Sequence, residues 1–210
     1  MKKIVVFAAT LALAAGVMFG CSSNSSDTAA TEDAATESTA ADAALVVDEA
    51  AKTVTIQATA TGNAGPSIHF LANEGGGNAD KAYFTTTATP QELYDALETL
   101  GAEHGDNIAV EDTEGTIEGS DLDLIVEVDG KQFTPIDLLE STDPRPTKAR
   151  FGGNIDANTE YGTGCMFCME SCSLGITSDS SYEYQEPVEF TAGADMPAAG
   201  TAVTVVYTLK

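Results

Sequence analysis

The sequence predicts an α+β fold: an antiparallel, mainly β domain with one principal helix and a second, short helix that bears cysteines. Three observations lead there. Apolar and polar residues alternate at Thr53–Ala60, Leu122–Val128 and Thr201–Lys210, the period of half-buried strands. One well-marked helix start stands at Thr89-Pro90-Gln91-Glu92. Strands and helices do not alternate regularly, so a parallel βαβ sheet is not expected.

In chain order, Lys2 and Lys3 precede an apolar run, Ile4 to Phe19, that ends in Gly20-Cys21. This is the plan of an export signal, and the run is too short for a dependable membrane-spanning helix. Val17-Met18-Phe19-Gly20-Cys21 resembles a bacterial lipobox. The resemblance implies that residues 1–20 are a lipoprotein signal peptide and that Cys21 becomes a lipidated N-terminus, holding the protein at the extracytoplasmic face of the cell membrane. An ordinary secretory signal or an uncleaved anchor helix are the alternatives. Residues 21–44 hold scattered acids among Ser, Thr and Ala, with no aromatic residue to bury, and are expected to form a disordered acidic tether. Residues 45–210 are then the right length for one domain with its own core.

Loss of Lys2 and Lys3 with the signal takes the net charge from −24 to −26. A surface that acidic repels phosphate backbones, so no nucleic-acid partner is expected, and the membrane is reached only through the lipid.

Within the domain, Val54, Ile56 and Ala58 mark the inner face of the first strand. Ser67–Asn73 reads as a second strand, Gly75–Asn78 as a turn, and Lys81–Thr86 as a third strand of a meander. Thr89 and Glu92 supply a capping box, Leu93, Leu97 and Leu100 recur at helical spacing, and Gly101 ends the helix. The strand Leu122–Val128 meets Asp129-Gly130, a hairpin signal, and returns at Lys131–Phe133. Thr134-Pro135 starts one or two helical turns, Ser141–Arg150 is a Pro-broken loop, and Val188–Thr191 and Thr201–Lys210 are strands.

Chemistry is expected at Gly152–Tyr182. Cys165, Cys168 and Cys172 are spaced C-x-x-C-x-x-x-C, which on a helix bracketed by Thr163-Gly164 and Gly175 would stack three thiols on one face. Three readings remain open. One is a metal or iron–sulfur site; with Cys21 given to lipid, the last ligand would be His69, His104, a carboxylate or an exogenous group. Another is a redox site with a disulfide, Cys165–Cys168 being the favoured pair, and a third exchanging thiol. The third is inert packing beside Met166, Phe167 and Met169. Arg145, Lys148 and Arg150 lie just ahead of the cysteines and are candidates for contact with an anion, a thiolate or an acidic partner. Asn154, Asp156, Asn158 and Glu160 alternate like a calcium loop, but Thr159 and Cys165 occupy the positions that need glycine and glutamate, so they read as turn residues.

The segments IHFLANEGGGNADKAYF, ELYDALETLGAEHG, FGGNIDANTEYGTGCMFCMESCSLGITSDSSY and PAAGTAVTVVYTLK resemble the YdjY-domain family of bacterial exported proteins. The resemblance implies ferredoxin-type chemistry, with Cys165, Cys168 and Cys172 as candidate cluster ligands. The functional expectation is a lipid-anchored extracytoplasmic protein with a redox or metal site, an accessory to membrane-associated electron transfer or uptake through some protein partner. The alternative is a non-catalytic surface lipoprotein with structural cysteines.

Overall fold

A computed structural model describes residues 43–210. The strands are β1 (Leu45–Asp48), β2 (Thr53–Ala60), β3 (His69–Asn73), β4 (Phe84–Thr86), β5 (Asp121–Val128), β6 (Lys131–Phe133), β7 (Leu139–Ser141), β8 (Ala149–Phe151), β9 (Cys165–Cys168), β10 (Thr177–Asp179), β11 (Phe190–Ala192) and β12 (Ala202–Leu209). Among the described residues there are two α-helices, α1 (Pro90–Thr99) and α2 (Ile155–Tyr161), and a 3₁₀ turn at Pro135–Leu138. No helix among them is long and apolar enough to cross a membrane. The expected signal, Cys21 and most of the tether lie outside the described residues.

Eight strands close on themselves in the order β2, β12, β5, β8, β10, β9, β3, β4 and back to β2. Closure is made where Thr59 and Ala60 of β2 pair with Thr85 and Phe84 of β4. The long alternating strands β2, β5 and β12 form one side through extended antiparallel ladders. Their inward residues Val54, Ile56, Leu124, Val126, Val205 and Tyr207 fill the interior with Phe70, Phe84 and Phe167. Outward threonines and acids meet solvent, the alternation that a sheet with one covered face requires.

The α+β expectation is therefore corrected to a mainly β, closed barrel. Local signals place α1 correctly, with its capping box and with Leu93 and Leu97 buried, but a ten-residue helix against the wall of an eight-stranded barrel does not make a second layer. The short cysteine-bearing helix is also corrected: Cys165–Cys168 is strand β9. The helix of this region forms earlier, as α2, and Gly162 in the left-handed conformation ends it. Residues 165–168 then lie between two neighbours, antiparallel to β3 and parallel to β10, and all four are buried. A helix there would leave both neighbours with unpaired edges. The meander expectation also fails, because β3 pairs with β4 in parallel and β4, not β3, pairs with β2.

Strand β10 carries Thr177, Ser178 and Asp179, all fully buried. Asp179 Oδ1 accepts hydrogen bonds from the backbone N–H groups of Lys148 (3.0 Å) and Ser181 (2.9 Å), while Oδ2 has no partner. Burial outweighs those bonds and raises the carboxyl above its ordinary value of 3.8. A carboxyl raised in the folded state stabilises most when protonated, and that stability is lost as pH climbs from about 3.8 through the raised value. Asp179→Asn keeps the two accepted bonds and removes the charge. Its stability relative to the parent should therefore rise between pH 3 and pH 7, read from denaturant midpoints, and a difference that does not change with pH would show that the carboxyl is not raised.

Candidate functional site

The cysteines gather although they are not helical. Residues three apart on a regular strand point to opposite faces. Between β9 and β3 the register shifts twice, with His69 opposite Cys168, Leu71 opposite Phe167 and Ala72 opposite Cys165. That irregularity changes the phase of the strand. Met166, Phe167 and Met169 join the main core, whereas Cys165, Cys168 and Cys172 form a separate buried cluster capped by Leu174. All three are free thiols.

His69 joins them. Its Nδ1 lies 3.3 Å from Cys165 Sγ, and the ligand atoms of His69, Cys165 and Cys168 all fall within 4.8 Å of one another. Cys172 packs against Cys168. The hydrogen bond with Cys168, followed by those with His69 and Asn78, holds the Cys165 thiol low despite burial. Cys168, donating to Cys165 and pressed against Cys172, is pushed up. Burial raises Glu170, just behind, to about 7.

The glycine turn supplies the Asn78 contact. Gly77 N–H and Asn78 N–H donate to the carbonyls of Gly162 (2.8 Å) and Thr163 (3.1 Å), and Asn78 Nδ2 reaches Cys165 Sγ at 3.4 Å. Approach this close needs two glycines face to face. A Cβ on Gly76 would lie 2.5 Å from Gly164 Cα, and Gly164 itself has φ +72°.

Two asparagines from α2 and its cap hold the other side. Asn154 Nδ2 donates to the carbonyls of Cys172 (2.9 Å) and Gly175 (3.1 Å). Asn158 Nδ2 donates to Cys165 O (2.8 Å) and Leu174 O (2.6 Å). These residues, turn formers by sequence, staple the backbone on which all three thiols sit. Nothing short of the fold marks them, because their partners are carbonyls.

His104 is elsewhere: its Nδ1 pairs with Asp106 Oδ2 at 2.6 Å, beside the rings of Tyr94 and Phe151. Among the basic residues, Arg145 is occupied by Asp143 and Glu186 and lies over the Tyr182 ring, clasping two loops together. Arg150 pairs with Asp121 at 3.1 Å. It stands opposite Ser178, which stands opposite Cys168, so it is two strands from the thiols rather than against them. Lys148 is exposed and gives its backbone N–H to Asp179.

The donor set suits one ion. Bonds of about 2.0–2.3 Å from sulfur and nitrogen place ligand atoms at most about 4.6 Å apart, so donors that lie within 4.8 Å of one another need to close by only a few tenths of an ångström to hold one ion. A multi-iron cluster needs its thiolates spread around several irons and sulfides, and uses four cysteines as a rule. Three cysteines, with Cys168 between Cys165 and Cys172, do not supply that set.

The fold and site thus define a class: a small, mainly β barrel whose wall carries a buried cysteine–histidine cluster. The chain belongs to the YdjY family, whose domain model matches residues 45–208. It is 33% identical over 148 residues to a protein of Escherichia coli strain K12 called "Uncharacterized protein YdjY", covering 66% of this chain and 66% of that one. The chain therefore spans slightly less than two thirds of that relative's length. No solved structure matches it.

Proposed function

We propose that this protein is a lipid-anchored, extracytoplasmic domain that holds a metal ion at His69, Cys165 and Cys168, as an accessory to a membrane-associated electron-transfer or uptake system. One observation carries the metal reading: an imidazole nitrogen and two buried sulfurs lie within 4.8 Å of one another. Soft thiolate and imidazole donors select transition metals over calcium or magnesium. The anchor rests on the resemblance of residues 17–21 to a lipobox.

A redox reading has its own support, in two adjoining thiols of which Cys165 is held low and Cys168 pushed up, the asymmetry of a dithiol ready to exchange. Against it stands access, since neither sulfur is exposed. Metal analysis of the full chain, purified under reducing, oxygen-free conditions, decides between them. About one equivalent of transition metal, with thiols that react only after chelation, is expected; metal-free protein that oxidises to a Cys165–Cys168 disulfide would favour redox exchange. Cys21→Ser should release the chain from the membrane fraction, and retention would remove the anchor.

A further inference from the structure

Two sulfurs of the cluster have a hydrogen-bond donor from outside it, and a third donor stands near the remaining one. Asn78 Nδ2 donates to Cys165 Sγ and the Leu174 N–H donates to Cys172 Sγ, both at 3.4 Å. The third donor is poised rather than engaged. Ser178 is fully buried and its Oγ has no partner. It pairs directly with Cys168 across β9 and β10, so the two side chains leave the same side of the sheet. Gly175 crosses in front of both: a Cβ there would lie 3.0 Å from Ser178 Oγ and 3.2 Å from Cys168 Sγ. The missing side chain leaves hydroxyl and sulfur facing the same small space.

A buried hydroxyl without a partner costs about 1–3 kcal/mol. Neutral thiols are weak acceptors and give it little in return. Thiolates are strong acceptors, and three of them out of water would need three donors, the number present. Charge sets the class of ion. Three thiolates and a neutral imidazole sum to −3, so a divalent ion leaves −1 for those donors to stabilise, whereas a monovalent ion leaves −2 in a dry site.

We propose, resting on the metal reading above, that Cys172 completes the site. Cys172 stands outside the three donors that already lie within 4.8 Å of one another, and its side chain turns inward on loading, so that Cys165, Cys168, Cys172 and His69 Nδ1 surround one divalent ion of the zinc class while the Ser178 hydroxyl donates to the Cys168 sulfur. Three sulfur–metal bonds and one nitrogen–metal bond form, and the protons still on sulfur pass to solvent. Ser178 is a positioning residue, acting on the ion only through Cys168.

Cobalt(II) is the probe, titrated into the reduced, metal-free full chain. One equivalent should bind with the sulfur-to-cobalt absorption of a tetrahedral thiolate site, and zinc should displace it. Ser178→Ala should bind about 10-fold or more weakly, and Ser178→Thr, which keeps the hydroxyl, should restore affinity. Cys172→Ser should lower the charge-transfer intensity. Ser178→Ala binding as tightly as the parent, or an unchanged Cys172→Ser spectrum, overturns this inference while the metal reading survives. A reduced parent chain that takes up no cobalt overturns both. Should Ser178→Ala fail to fold, the Cys172→Ser spectrum decides alone.

Discussion

Cys165→Ser should lower the affinity of the chain for zinc or cobalt by roughly 100- to 1000-fold while leaving the barrel folded. A structural zinc site of four ligands contributes about 10–16 kcal/mol, so each ligand accounts for about 3–4 kcal/mol, and each 1.4 kcal/mol is a factor of ten. Cys165 is the sharpest position to remove because two other groups converge on it, His69 Nδ1 at 3.3 Å and Asn78 Nδ2 at 3.4 Å. Serine keeps the volume within one atom of change, and the Asn158 bond to the Cys165 carbonyl does not depend on the side chain. Competition titration against a chromophoric chelator measures the loss, with circular dichroism as the control for folding. Unchanged affinity would show that the thiol cluster does not ligate.

Phe70→Ala should cost about 3–5 kcal/mol of stability, a large share of the 5–15 kcal/mol that holds a domain together. Phe70 is fully buried on β3. Its ring meets Phe84 of β4 at 5.1 Å, Phe167 of β9 at 5.9 Å edge-on, and Tyr83 at 6.4 Å. Those strands carry the short pairings through which the barrel closes, so side-chain packing supplies there what long ladders supply between β2, β5 and β12. The residue also adjoins His69, and the cavity left by alanine should loosen that ligand. Denaturant unfolding should show the midpoint falling at nearly constant slope. A loss under 1 kcal/mol would mean that aromatic packing does not hold the closure.

Much of the fold can be read from neighbouring residues. β2, β5 and β12 announce themselves by alternation, α1 by Thr89, Pro90 and Glu92, and the β5–β6 hairpin by Asp129-Gly130. These signals act over a few positions and need no knowledge of what lies opposite. Other short strands escape them: β1, β7, β8 and β10 have too little sequence to show a period, and β9 is apolar on both faces because both are covered. The spacing of the thiols predicts a helix locally, but β3 and β10 offer hydrogen bonds that a helix would forgo.

By itself the sequence determined that three thiols would share one eight-residue segment and that long strands would dominate. Only the tertiary structure decided what they meet. Asn78 is 87 residues from Cys165 and His69 is 96, and such partners are chosen by barrel closure and by the register shift between β3 and β9. The physical reason is range: propensity and periodicity act along the chain, while a donor's partner is set by which strands come to lie side by side.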